Sequence, residues 1–598
     1  MVKVIYPGSF DPFTNGHQDM LIKSGERFEQ VVVAVGQNPD KKYMFSFPER
    51  VEMIKGATKA RVYEGMNIDV KPFGGLLSDF TFEQGSKTVI RGIRGIGDFQ
   101  GEETLKNILE KEGIVSMYLF AEQNQTHVSS SVTKSLLKEQ GFIQDYVSLN
   151  VKHFLEARMN GQYIVGLTGT IGAGKSYITE KFLELGKQEN IPVHNIDLDK
   201  IGHRILEVAI EDGYKQIRQK LIKKFGDSIG TEGGFIDRKK LGEIVFNDSK
   251  KRKLLDEIMF NPMQVRIRTE IYGKKGIILL NGALLAEAGI TDLANNNIVL
   301  IGVDNEVQKE RLSGRNLDNE QIERRVKNQF STDRKKEVIS ASIKTTGYGN
   351  LVDFDNNGNN DDLIIEEKFN QMLCTVDIYG ELRMKSVFTK LGIEDKWIDI
   401  YAKLKPMYDT SERLYHNWFH IIACLNILYE IKKSISHEEF IALFFAILFH
   451  DAIYSSKAKA GENERQSANF AKDFLKKLGL EEKIIERASY LISLTASHKL
   501  DGNDLIGAYM IDIDLSILGQ PWDIYHGGID SIKYGYMRAV RNEYSNYKEE
   551  DYKKGRLAFL EGKSGGRIFK TPYFIEKYEK QAQENIRKEI IMLGGNIS

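Results

Sequence analysis

The chain has 598 residues, 41% of them apolar, and 83 basic against 84 acidic side chains leave a formal charge of −1. At roughly 150 residues per domain that length predicts three or four units. The balanced charge excludes a global basic field of the kind that binds nucleic acid or an anionic membrane, so phosphate recognition must be local. Two cysteines, Cys374 and Cys424, exclude a disulfide framework or a cysteine-rich zinc site. The longest apolar run, residues 440–449, is too short to span a bilayer, and Met1-Val2-Lys3-Val4-Ile5-Tyr6-Pro7 enters a strand without an apolar leader. Together these features predict a cytoplasmic protein with no membrane or nucleic-acid partner.

Strand-like and helix-like stretches alternate from the start: residues 2–6, a helix from His17, residues 31–35, a helix from Pro48. This rhythm predicts a parallel sheet with ligands at the C-terminal ends of its strands. Thr14-Asn15-Gly16-His17 follows the first strand and opens a helix, which sets His17 beside any phosphate bound at that helix N-terminus. The segment Tyr6-Pro7-Gly8-Ser9-Phe10-Asp11-Pro12-Phe13-Thr14-Asn15-Gly16-His17 closely resembles the opening of bacterial phosphopantetheine adenylyltransferase, of the T-x-G-H nucleotidyltransferase superfamily. Asn38-Pro39-Asp40-Lys41-Lys42, Phe47-Pro48-Glu49-Arg50, Gly75-Leu76-Leu77, Arg91-Gly92-Ile93-Arg94, Asp98-Phe99 and Ser129-Ser130-Ser131 extend the resemblance.

The resemblance implies a Rossmann-like fold and a reaction in which a substrate phosphate attacks the α-phosphorus of ATP and expels pyrophosphate. The protein then has to align the reactants and neutralise developing charge. It implies His17 at the α-phosphate, Lys42 and Arg91 at the attacking phosphate or the transition state, and Ser129, Ser130 and Ser131 at the β/γ-phosphates. Arg94 is implied as a further ATP ligand, with Ser9, Phe10, Thr14 and Glu102 completing the substrate set. At Gly101 and at Ile108-Leu109 the chain departs from the family pattern along the pantetheine arm.

The pattern restarts at Tyr163. A buried strand leads into Gly169-Thr170-Ile171-Gly172-Ala173-Gly174-Lys175-Ser176, which satisfies G-x-x-x-x-G-K-[ST] and is followed by an amphipathic helix from Tyr177. Glycines let N–H groups turn around phosphate oxygens, Lys175 reaches the β/γ-phosphates, and the Ser176 hydroxyl ligates Mg²⁺. Asn195-Ile196-Asp197-Leu198-Asp199 ends the next strand, where a carboxylate can orient Mg²⁺ or take a proton from an attacking hydroxyl.

These residues, with Phe225-Gly226, Ile236-Asp237-Arg238, Leu284-Leu285-Ala286-Glu287 and Gln308-Lys309-Glu310-Arg311-Leu312 plus Arg315, resemble dephospho-coenzyme A kinase. The resemblance implies ATP-dependent phosphorylation of the ribose 3′-hydroxyl of dephospho-CoA. Asp197 or Asp199 would activate the hydroxyl, Arg311 or Arg315 would come from a lid, and Gly169, Gly172, Ala173, Gly174, Ser176 and Tyr177 would line the ATP site. Asn261, Asn281 and Ala283 depart from that family's pattern.

Beyond an Asn-, Asp- and Gly-rich loop at residues 353–362 the chain becomes helical. His416 and His420 stand four apart, hence on one helix face if that segment is helical, and His450-Asp451 ends an apolar run. Such ligands suit a divalent metal, whether Mn, Fe, Co, Mg or Zn. With Asn463-Glu464, Thr495, His498 and Asp512-Ile513-Asp514, they resemble metal-dependent HD phosphohydrolases. That implies His420, His450, Asp451 and Asp514 as ligands, with Asp512 the substitute for the last. His416 and His498 would contact phosphate or a second metal, and Glu464 is either a water-orienting residue or a solvated helix glutamate.

The expected organisation is therefore two α/β units with parallel sheets, at residues 1–160 and 161–375, followed by an all-α HD domain at 376–598. The expected function is a fused coenzyme A biosynthesis enzyme acting on ATP with Mg²⁺, 4′-phosphopantetheine and dephospho-CoA, joined to a hydrolase and able to form homo-oligomers through its N-terminal domain. Two alternatives stand beside it: sensor domains controlling the hydrolase, and nucleotidyl transfer to another phosphate acceptor.

Overall fold

The computed structural model describes residues 2–37, 41–93, 106–246, 248–314, 326–327, 329–358, 362–500, 502–526 and 535–595. Packing divides the chain into two compact units. One comprises Met1–Ser130 together with Asp377–Ser598, the other Ser131–Val376.

The first unit opens with a parallel five-stranded sheet: β1 (Lys3–Gly8), β2 (Gln30–Gly36), β3 (Ile68–Phe73), β4 (Thr88–Ile93) and β5 (Val115–Phe120), in the order β3-β2-β1-β4-β5. Val31, Val32, Val33, Ala34 and Val35 are all buried, as expected of a β-branched strand covered on both faces. Strand order reverses between β1 and β4, which opens a crevice at their C-terminal ends.

The remainder of this unit is mostly helical. Its centre is built from helices Trp418–Ile431, His437–Phe449 and Leu505–Leu515. Every residue from Phe440 to Phe449 is buried, so the apolar run that is too short for a bilayer is a core helix, apolar all round. Asn417, Ser436 and Asp504 start these helices by accepting N–H bonds of their first turns. Among the described residues no helix is long and apolar enough to cross a membrane.

The second unit carries another parallel sheet: β6 (Gln162–Gly169), β7 (Val193–Asp197), β8 (Gly276–Asn281), β9 (Asn297–Gly302) and β10 (Asn350–Asp355), ordered β10-β9-β6-β8-β7. β6, β8 and β9 are buried along their whole length. The buried helix Leu149–Leu155 precedes this sheet, and Lys152 ties it there by donating to Leu293 O and Asn295 Oδ1, each at 3.0 Å, while pairing with Glu156 at 2.8 Å.

Candidate functional site

Three constellations of candidate residues stand out among the described residues. In the first unit a cavity of about 850 Å³ opens at the C-terminal ends of β1 to β4, lined by Ser9, Phe10, Thr14, His17, Lys41 and Arg91 among others. His17 lies in the first turn of helix Asn15–Gly25. Its Nδ1 accepts the Thr14 N–H at 3.0 Å, with Thr14 Oγ1 also at 3.0 Å. A neutral ring held this way carries its proton on Nε2. Phe13 stacks on the imidazole at 5.8 Å and Phe10 meets it edge-on at 5.2 Å, so packing orients the ring.

Buried Arg50 braces the surrounding loops. Its Nη1 donates to Ser9 O at 2.6 Å and Gly36 O at 2.8 Å, joining the loops after β1 and β2. Asp11 accepts the N–H groups of Met44 and Phe45, and Ser130 Oγ donates to Pro12 O. Lys42 and Ser131 are exposed, whereas Lys41 lines the cavity; Ser129 is half-buried. Arg94 and Glu102, and the motif residues 38–40 and 98–101, lie outside the described residues.

In the second unit the phosphate loop leaves β6 and enters helix Lys175–Gln188. Gly172 and Gly174 have φ of +82° and +87°, the left-handed region that favours glycine. Three side chains hold the loop's carbonyls: Gln308 Nε2 donates to Ile171 O at 2.7 Å, Arg311 Nη1 to Gly172 O at 3.2 Å, and Asn356 Nδ2 to Ala173 O at 2.9 Å. Ile171 N–H donates to Gln329 Oε1 at 2.9 Å and Ala173 N–H to Thr170 O at 3.1 Å, so the N–H groups of Gly172 and Gly174 are the ones this loop can turn to a phosphate. Lys175 Nζ reaches Gly169 O at 3.4 Å, and Ser176 and Tyr177 are exposed on the first turn.

Asp197 ends β7 and caps helix Leu198–Glu207, accepting Lys200 N–H at 2.9 Å. It pairs in register with Asn281, which in turn pairs with Leu167 of β6. Two strand spacings therefore separate Asp197 from the strand that bears the loop, roughly 10 Å, enough for a transferred phosphoryl group and its acceptor. Asp199 is exposed, one residue into the helix. Asn281 Nδ2 donates to Thr179 Oγ1 at 3.2 Å. Buried Lys335 bonds both Glu287 oxygens, at 2.6 and 2.7 Å, and Ala283 O at 2.7 Å, fixing the segment after β8. Arg315 lies outside the described residues.

The third constellation sits in the helical part of the first unit. His420 Nε2 and His450 Nε2 stand 3.1 Å apart; Asp451 Oδ2 is 3.7 and 3.2 Å from them, and Asp514 Oδ1 is 3.5 Å from each. Ligands about 2.1 Å from a shared ion at tetrahedral or octahedral angles stand roughly 3.0–3.4 Å from one another; the two shortest separations match this, the longer ones exceed it slightly, and His420, His450 and Asp451 form a group that could hold a divalent cation. His450 Nδ1 lies 2.9 Å from Ile447 O, a carbonyl that accepts its proton and turns Nε2 toward the cluster. Burial disfavours a charged His450, but Asp451 and Asp514 outweigh it and hold this imidazole well above the usual histidine range. Against the same burial, the histidines hold both carboxylates below theirs.

His498 Nε2 contacts Asp514 Oδ2 at 3.0 Å. His416 stacks on Tyr454 and its Nδ1 meets Glu543 Oε2 at 2.6 Å, with Glu543 Oε1 accepting the Tyr415 and His416 N–H groups. Glu464 lies on the first turn of helix Glu462–Lys477. Asp512, the substitute ligand, is a correction: its oxygens are taken by Lys570 N–H, Thr571 N–H and Thr571 Oγ1, all at 2.8 Å, away from the cluster. Gln308, Asn356, Lys335 and Glu543 were not foreseen as supports, since no local spacing marks a residue that acts across the fold.

Known families match the segments that carry the first two constellations. The family described as Cytidylyltransferase-like matches residues 5–135, and the family described as Dephospho-CoA kinase matches residues 163–348. The phosphopantetheine adenylyltransferase of Nautilia profundicola is 40% identical over 148 residues, 24% of this chain and 93% of that protein. That of Finegoldia magna is 37% identical over 160 residues, 26% of this chain and 96% of the relative. A solved dephospho-CoA kinase from Campylobacter jejuni is 21% identical with a TM-score of 0.23, covering 36% of this chain and 96% of its own.

Proposed function

Because the chain belongs, through its first sheet, to the phosphopantetheine adenylyltransferase family and carries a dephospho-CoA kinase unit behind it, we propose that it performs two consecutive steps of coenzyme A synthesis. ATP adenylylates 4′-phosphopantetheine to dephospho-CoA and pyrophosphate, and a second ATP phosphorylates the 3′-hydroxyl to give coenzyme A. The observation that carries this reading is the pairing: the product of the first unit is the acceptor of the second, and one chain keeps both at high local concentration.

In the first site His17 donates through Nε2 to the α-phosphate while Arg91 and Lys41 or Lys42 neutralise the attacking phosphate. Ser129, Ser130 and Ser131 hold the β/γ-phosphates. In the second, Lys175 and the loop N–H groups bind the ATP phosphates, Ser176 orients Mg²⁺, Asp197 or Asp199 takes the hydroxyl proton, and Arg311 adds positive charge at the loop.

The His/Asp cluster supports a third activity, metal-dependent phosphate-ester hydrolysis of the HD type. A divalent ion there would polarise a phosphoryl oxygen and acidify water. His420, His450, Asp451 and Asp514 would hold the ion, and His416 and His498 would bind and orient the phosphate. Incubating the protein with 4′-phosphopantetheine, ATP and Mg²⁺ should yield dephospho-CoA and then coenzyme A by mass; absence of both would refute the biosynthetic reading. Lys175→Ala should stop only the second step.

A further inference from the structure

The cavity beside the His/Asp cluster is larger than a phosphate group needs. It encloses about 810 Å³ and meets the cluster at His420 and Tyr415. From there it follows one face of helix Trp418–Ile431, because His420, Ala423, Ile427 and Glu430 recur every three or four residues along its lining. Ten residues at 1.5 Å per residue make this trench roughly 15 Å long. Its middle is apolar, through Ala423, Ile427, Ile517 and Ile524.

The far end is polar but already neutral. Glu430 Oε2 accepts Lys577 Nζ and Tyr573 Oη, each at 2.6 Å. Across the trench, helix Phe47–Ala57 of the nucleotidyltransferase fold supplies Glu52 and Lys55. Two ion pairs seat that fold against the helical part: Glu49 with Lys405, both buried, at 3.0 Å, and buried Asp69 with half-buried Arg538 at 3.1 Å. Two lysines and two glutamates in the lining leave no net positive charge for a polyphosphate.

We infer that the trench takes a phosphate monoester with a long, uncharged, flexible arm, the phosphate at the His420 end and the arm along Ala423 and Ile427. This rests on the hydrolase reading above and names its substrate class. In the reaction a water oxygen bonds to phosphorus, the bond from phosphorus to the arm oxygen breaks, and the arm leaves as an alcohol that takes a proton from the attacking water. The acceptor assigned to the first unit, 4′-phosphopantetheine, has this form.

The test uses the full chain without ATP, so the first two units are idle. Phosphate release is measured with Mn²⁺ from 4′-phosphopantetheine, p-nitrophenyl phosphate and AMP, and calorimetry counts pantetheine bound to the metal-free chain. The expected kcat/KM for the long-armed ester exceeds both others at least tenfold. Ile427→Trp, or the milder Ala423→Leu, erases that ratio and lowers the pantetheine stoichiometry by one. Release from no ester would sink the hydrolase reading, and the pantetheine count would still judge the trench. Release without preference for the arm, or a pantetheine count unchanged in both variants, would overturn the substrate assignment.

Discussion

Gly174→Ala probes the phosphate loop with a single carbon. At φ +87° an alanine is left-handed, which costs about 1–2 kcal/mol. Its Cβ would lie 2.2 Å from Asn356 Nδ2, too close for any real contact, so the asparagine must swing away. That breaks the bond to Ala173 O in a buried setting and costs about 1–3 kcal/mol more. The sum is about 2–5 kcal/mol, placed in the second unit. All three tryptophans, Trp397, Trp418 and Trp522, belong to the first unit, so tryptophan fluorescence reports that unit and far-UV circular dichroism reports both. Urea titration should therefore show an earlier dichroism transition with the fluorescence transition unmoved. Phosphorylation of dephospho-CoA should fall at least tenfold while adenylyl transfer keeps its rate. A loss under about 0.5 kcal/mol, ordinary for an uninvolved surface site, with wild-type phosphorylation would refute the reasoning.

Three further outcomes are expected. Lys335→Met strands Glu287 as a buried unpaired carboxylate and should cost about 3–5 kcal/mol, most of it regained in Lys335→Met/Glu287→Leu; equal stability of the single and double variants by urea titration would contradict this. Burial, then the Lys152 charge, pushes His153 down to about 3 from 6.5, so between these values the unfolded chain binds the extra proton. Stability from this group is whole above pH 6.5 and declines as pH falls toward 3, by about 1.4 kcal/mol per pH unit, and His153→Gln should flatten the slope of stability against pH. Asp512→Ala should lower stability yet keep bound metal measured by mass spectrometry, whereas Asp514→Ala should lose the metal; metal loss in both would return Asp512 to the ligand set.

Much of the site chemistry was legible because it is contiguous. A phosphate loop uses eight successive residues whose glycines must turn and whose lysine and serine must follow, and His17 is held by Thr14 three residues earlier. The buried runs of β2 and β6 likewise announce parallel strands locally. The His/Asp cluster was expected only by resemblance, since ninety-odd residues separate His420 from Asp514 and no helical or strand period spans that gap. Nor could spacing choose between Asp512 and Asp514. Two helical positions at 100° each point about 200° apart, so one carboxylate meets the histidines and the other meets Lys570 and Thr571.

By itself, then, the sequence determined the two parallel-sheet units and the order of their nucleotide-family motifs. Each follows from short-range backbone requirements. Tertiary structure alone decided that Lys41 rather than Lys42 lines the first cavity, that Gln308, Arg311 and Asn356 hold the loop's carbonyls, and that helix Phe47–Ala57 walls the trench beside His420. Those choices depend on which distant surfaces are buried against one another, and burial is a property of the whole packed chain, not of any segment.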